Sequence, residues 1–237
     1  MKTAAVVTVT NGKRPWELSN CIASIKAQTY PCTHYVLVDN NFSLSAEIKR
    51  IHHDIKVCHW DAKIGGDGWA GQRWLSAAPH LITEDVTFFC NDDDWYKENH
   101  VQTIMEKIEA GYDWAYSFRK IYDEKGNFVC DDNCEALGEA SDVWNVANHR
   151  FVDWCMWGMR TELLKQISIV LNNPSPQVDR MFYATAKQLF PNFIGTNQHT
   201  FNFRLGGTCG VQKEYFEVGN AEMLKRHNGT LPWVINE

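Results

Sequence analysis

Three consecutive carboxylates, Asp92, Asp93 and Asp94, stand directly behind the apolar run Val86–Cys90. Adjacent carboxylates repel, so such a group is held by solvent, by a cation or by bound donors. Asp92 and Asp94 are two apart, which in an extended segment sets both on one side. Two carboxylates on one side of a loop suit Mg²⁺ or Mn²⁺, hard cations that draw their remaining oxygens from substrate phosphates. Such an ion neutralises the charge that gathers on a departing diphosphate. The competing reading is an acidic loop in solvent. Asp39 closes the apolar run Tyr35–Val38. There an acidic side chain either hydrogen-bonds a nucleotide ribose or base, or shapes a turn.

Gly66, Gly68 and Gly71 form a G-x-G-x-x-G string, but six mixed residues, His59 to Ile64, separate it from the nearest strand pattern. A dinucleotide fingerprint follows its strand at once, so these glycines are read as a loop that nears a ligand or opens a helix tightly. Lys63 and Arg73 flank them and could face phosphate or pyrophosphate. Cys130 and Cys134 are a lone pair, closer to free thiols in a turn than to a zinc site.

These residues need elements to carry them. Ala4–Thr10 reads as a buried strand, and Pro15 is well placed to open a helix after the turn at Asn11–Arg14. Leu18, Ile22 and Ile25 recur at helical spacing. Further strands are expected at 35–38, 55–58, 86–90 and 114–121, with helices near 46–52 and 69–77 between them. Val101, Ile104, Met105 and Ile108 predict a helix that Gly111 stops. The alternation predicts an α/β fold with a parallel sheet covered on both faces. Beyond 150 the pattern predicts a strand near 154–159, helices near 162–169 and from 179, and a hairpin around 193–205. In such sheets ligands bind beyond the carboxyl ends of the strands. Here those ends carry Thr10-Asn11, Asp39-Asn40 and Asn91–Asp94, three polar clusters converging on one crevice.

The chain has 237 residues, 44% of them apolar, enough for a sizeable core without disulfide or metal staples. Its net charge of −6 argues against a nucleic-acid coat or an anionic-membrane binder. The charge is uneven: residues 81–150 carry six basic and sixteen acidic side chains. No apolar run approaches the roughly 18 residues of a membrane span, and Ala4–Val9 is too short for a signal peptide. Cysteines inside apolar runs, such as Cys58 and Cys90, suggest a reducing, cytoplasmic setting.

In order along the chain, VVTVTNGKRP, AQTYP, YVLVDNN, GGDGWAGQRWLSAA and FFCNDDDWY resemble the motifs of the GT-A fold glycosyltransferases of family 2. The likeness is specific over residues 4–96 and weaker after 120. It implies a GT-A-type, Rossmann-like fold with a mixed, mostly parallel central sheet flanked by helices. It implies one domain over 1–237, its first 120 residues binding a nucleotide-sugar and the rest an acceptor. It implies a donor, with UDP favoured, and Mn²⁺ or Mg²⁺. Asp39 and Asp92 would bind the donor, Thr8 and Thr10 would line the base pocket, and Arg73 would face the diphosphate. The family's metal-binding aspartate falls on Asp93 or Asp94, depending on the register. A late His on the metal would be His199 or His227. An inverting transferase also needs a base for the acceptor hydroxyl, and Asp179 fits by position; its competing reading is a helix cap. Trp144, Trp154 and Trp157 lie in the acceptor region, as sugar-stacking faces or as core. A nucleotidyltransferase and a non-catalytic nucleotide or sugar binder are the alternatives. The acceptor stays open among polysaccharide, glycan, lipid carrier, protein and, less favoured, nucleic acid.

Overall fold

Short valine-containing runs in the first part of the chain form a four-stranded parallel block. Its strands are β1 (Ala4–Thr10), β2 (Cys32–Asp39), β3 (Lys56–Trp60) and β4 (Val86–Phe89), arranged β3-β2-β1-β4. The computed structural model describes residues 1–66, 69–140, 142–145, 150–206 and 210–234. Gly68 of the glycine string and Cys209 lie outside them. The connections are α1 (Pro15–Lys26), α2 (Phe42–Ile51) and α3 (Gln72–Ala77). The three inner strands β2, β1 and β4 are largely buried because both faces are covered, while β3 at the edge is partly exposed. Val36 and Val38 of β2 pack with Leu18, Ile22 and Ile48 of α1 and α2. Tyr35 and Leu37 enter the main core on the other face.

The rest of the chain widens this sheet. β5 (Trp95–Tyr96), α4 (His100–Glu109), β6 (Trp114–Tyr122) and β7 (Phe128–Asp131) are followed by β8 (Trp157–Arg160) and α5 (Thr161–Ile167). Then come α6 (Val178–Leu189), β9 (Phe193–Arg204) and α7 (Lys213–Arg226). The order continues β4-β8-β6-β9-β5, with β7 on β6. β8 runs antiparallel to β4 and β6, and the long β9 runs parallel to β6. The sheet is therefore mixed and mostly parallel, with helices on its faces.

Three expectations are corrected. Residues 193–204 form one strand, not a hairpin. Asn197, with φ 58°, looks like a turn residue but makes a bulge, where the register on β6 shifts between Tyr116 and Phe118. Residues 154–156 are a 3-10 turn and only 157–160 a strand, because the Asp153 carboxylate caps the turn by accepting from Cys155 N. The helix near 69–77 begins at Gln72, since Gly71 enters it in the left-handed region, φ 79°. That glycine serves a tight helix start.

Because β1, β2 and β4 are parallel neighbours, their carboxyl ends lie at one edge of the sheet. Thr10, Asp39 and Asn91–Asp94 are brought together there.

Candidate active site

The acidic turn divides its three carboxylates between two environments. Asp92 Oδ2 accepts a hydrogen bond from Thr10 Oγ1 at 2.7 Å, which joins the ends of β4 and β1. Asp92 Oδ1 lies 2.9 Å from Arg14 Nη2, and Asp93 Oδ2 is paired with Nη1 of the same guanidinium. Arg14 is the residue before Pro15 at the N-cap of α1, and its own side chain caps nothing there. Asp94 is turned inward. Its Oδ1 accepts from Arg204 N at 2.9 Å, its Oδ2 accepts from Asn91 Nδ2 at 3.0 Å, and it is 1% exposed. Burial pushes the Asp92 carboxyl up to about 6, against the pull of Arg14 and Thr10. Burial also raises Asp93, and it raises Asp94 furthest, with the Asp93 charge adding to it.

Asp39 organises the glycine loop. Its Oδ1 accepts from Ile64 N at 2.9 Å and from Trp74 Nε1 at 3.1 Å, and its Oδ2 accepts from Gly65 N at 3.1 Å. A Cβ on Gly65 would stand 3.2 Å from Asp39 Oδ2, so the missing side chain allows this close approach. Arg73 stacks on Trp69, 3.7 Å from the ring centroid, and donates to Ile64 O. It lines a surface cavity of about 630 Å³ with His80, Lys165 and Asn172, a group that includes none of the crevice carboxylates. The structure thus places Arg73 as a brace of the glycine loop. Thr8, one pleat below Thr10, is fully buried and its Oγ1 bonds His34 Nε2 at 3.0 Å and Cys21 Sγ at 3.5 Å. Only Thr10 of the two reaches the crevice.

A second group of carboxylates gathers about Arg119 and Arg180. Asp179 stands in the first turn of α6, partly exposed, and its Oδ1 accepts from Arg180 N at 2.7 Å. Burial, then the nearby Asp153 charge, push the Asp179 carboxyl up to about 6 against the opposing Arg180 guanidinium. The Asp153 charge also adds to the rise of Asp94. Arg119, buried on β6, holds three carboxylates: Asp132 at 2.8 Å, Glu135 at 2.6 Å and Asp153 at 3.4 Å. Arg180 extends the network from Glu135 to Asp179. Trp154 Nε1 reaches back to Asn91 Oδ1 at 3.5 Å, whereas Trp157 is core, packed on Trp114 and Phe182.

The chain has counterparts among known proteins. The model of glycosyl transferase family 2 matches residues 5–168. The chain belongs to this glycosyltransferase family. No curated protein matches it by sequence. Among solved structures it is similar to that of S. aureus TarS 1–349, at 15% identity and a TM-score of 0.63, over 95% of this chain and 71% of that one. It is also similar to the same protein in complex with UDP, at 15% identity and a TM-score of 0.64, over 97% and 72%. A third match is its complex with UDP-GlcNAc, at 15% identity and a TM-score of 0.62, over 94% and 67%. At that identity the likeness speaks for the fold, which is the GT-A type expected.

For a family-2 glycosyltransferase the question of a metal is set by the donor atoms. Among the described residues no group of three or more His, Cys, Asp or Glu is arranged about one point. Asp92 and Asp93 do converge, and the position they share is taken by a guanidinium. Two hard oxygens about a cationic centre fit Mg²⁺ or Mn²⁺ as a two-carboxylate site completed by water and phosphate oxygens. Asp92 and Asp93 turn oxygens to that position, whereas the Asp94 oxygens accept from Arg204 N and Asn91 Nδ2. His199 is not brought to the turn. It packs edge-on to Phe118 and approaches Asp132 O at 3.4 Å. Along β9 it is five residues from Arg204, roughly 16 Å at strand rise. His227, beyond α7, faces Trp233 and Asp142.

Sequence reasoning missed Arg14, Asp153 and the Arg119–Glu135–Arg180 network. Arg14 had one signal, its place in the turn after the first strand. Asp153 and Arg119 had none, because their partners are distant in the chain.

Proposed function

We propose that this glycosyltransferase moves a sugar from a nucleoside-diphosphate donor, UDP-linked by preference, to an acceptor hydroxyl with inversion at the anomeric carbon. The observation that carries the reading is the partly exposed Asp179 carboxyl at the start of α6, joined through Arg180, Glu135 and Arg119 to Asp153 and raised by burial to about 6. A carboxylate poised near neutral pH can take the acceptor proton in a direct displacement. Support for the donor comes from TarS, whose structures carry UDP and UDP-GlcNAc.

In this reading the half up to 120 holds the donor and the remainder the acceptor. Thr10 and Asp92 shape the floor of the crevice, and Asp39 sets the loop beside it by holding Ile64 and Gly65. Asp92 and Asp93 would hold Mg²⁺ or Mn²⁺, which would supply positive charge for the leaving diphosphate. The acceptor O–H gives its proton to the Asp179 carboxylate as its oxygen bonds to the anomeric carbon. The bond from that carbon to the diphosphate oxygen breaks, and the electron pair leaves with the nucleotide. Trp154, tied to Asn91, lies where an acceptor ring would stack.

The test is calorimetric titration of UDP, GDP and CDP with and without Mn²⁺, followed by turnover of sugar conjugates of whichever nucleotide binds. The expected result is metal-dependent binding of UDP, lost when Asp92→Asn and Asp93→Asn are combined. Binding of no nucleotide under either condition overturns the reading.

A further inference from the structure

The acidic turn already holds a cation, and that cation belongs to the chain. The Arg14 guanidinium presents Nη2 to Asp92 and Nη1 to Asp93, a two-pronged grip on two neighbouring carboxylates. The three side chains differ in access. Arg14 is 39% exposed, while Asp92 and Asp93 are 4% and 12% exposed. The cation is thus open to solvent and the anions are not. Arg204, by comparison, is fixed: its guanidinium donates to Asp93 O and Glu124 O and lies over Trp16 and Trp95. The two carboxylates thus share one direct side-chain cation, with the Arg204 guanidinium acting on Asp93 from the side.

From this geometry we infer that Arg14 is an exchangeable counter-cation. It fills the cation position of Asp92 and Asp93 in the resting protein and swings out when a divalent metal enters. Once out, it is a free guanidinium at the mouth of the crevice, placed for the donor diphosphate. The inference rests on the donor reading above and adds a positioning residue to it. Two consequences follow from linkage. The resting protein binds metal more weakly than its carboxylates alone would. A nucleoside diphosphate, by offering Arg14 another partner, raises metal affinity, and metal raises nucleotide affinity by the same factor.

The experiment is Mn²⁺ titration followed by electron paramagnetic resonance, on the full chain and its Arg14→Gln and Arg14→Lys variants, first alone and then with UDP. Without nucleotide, Arg14→Gln should bind Mn²⁺ about tenfold tighter than the parent, within the usual range of site coupling. Arg14→Lys, a charge without the fork, should fall between them. UDP should raise Mn²⁺ affinity more in the parent than in Arg14→Gln. Equal or weaker Mn²⁺ binding by Arg14→Gln, or Mn²⁺ binding by neither protein, overturns the inference. Should Arg14→Gln fail to fold, the Arg14 Nε–H resonance of the parent serves instead. It should shift as Mg²⁺ is added, and a resonance that stays put once Mg²⁺ has bound overturns the inference equally. UDP binding in the parent without any of these responses removes the Arg14 exchange and leaves the transferase reading standing.

Discussion

Two arginines gather carboxylates in this molecule, and they do so under opposite conditions. Arg119 sits inside the sheet with its side chain 4% exposed, holding Asp132, Glu135 and Asp153. Arg14 stands at a helix entry, ten times as open, holding Asp92 and Asp93. At Arg119 one carboxylate, Asp132, is kept below its ordinary value by that arginine and the N–H groups of Cys134, Glu135 and Ala136, while burial leaves Glu135 and Asp153 raised. At Arg14 burial leaves both carboxyls raised, Asp92 to about 6. What separates the two is access: the first arginine is buried scaffold, and the second, on the inference above, trades its place with a metal ion.

Removing each arginine is the sharpest way to break this comparison. Arg119→Ala leaves three buried carboxylates without their counter-charge, a loss of about 3–5 kcal/mol by the usual cost of an uncompensated buried charge. Urea unfolding should read it as a lowered midpoint. Arg14→Gln should cost less than that, because Arg14 stands partly in solvent and water or a bulk cation can take over part of its role. If the two costs prove equal, the distinction between scaffold and site fails.

Asp179→Asn should lower turnover by about 10²–10⁴, the ordinary contribution of a placed general base, while donor binding is kept. Parent activity should fall as pH drops through about 6, where Asp179 takes up its proton. The same raised value opposes folding. Below its unfolded value of 3.8 both states carry the proton, and the folded state holds it up to about 6. Whatever stability this confers is lost as pH rises through 6. Asp179→Asn should therefore unfold later than the parent at pH 8, by about 2 kcal/mol, with the advantage gone near pH 4. A variant that loses activity and gains stability separates a working carboxyl from a helix cap, a role that Asn fills about as well as Asp.

The smallest effects concern residues outside the crevice. Thr8→Val should leave nucleotide binding unchanged in calorimetry, since Thr8 bonds only His34 and Cys21. His199→Gln should leave Mn²⁺ affinity unchanged, because the ring serves Phe118 and Asp132 O far along β9. A tenfold change in either would place that residue in the site after all.

Much of the donor side was legible along the chain. β1, β2 and β4 are apolar runs ending in polar residues, and a parallel arrangement brings such ends together whatever the details of packing. Asp39 and Asp92 were found that way. Which carboxylate turns inward was not legible, because Asp94 is captured by the backbone N–H of Arg204, 110 residues later. The 193–205 segment misled for a local reason: a left-handed Asn197 makes a turn or a bulge, and only the neighbouring strand decides which.

By itself the amino-acid sequence determined the α/β alternation and the strand-end positions of the acidic turn and Asp39, because hydrophobic periodicity and turn chemistry act over a few residues. The family and the choice of Asp179 rested on the likeness of ordered motifs. The tertiary structure decided the partners: Arg14 on Asp92 and Asp93, Arg204 on Asp94, Asp153 on Arg119, and Arg73 on Trp69. Electrostatic pairing and desolvation depend on which groups meet in space, and 79 residues separate Arg14 from Asp93.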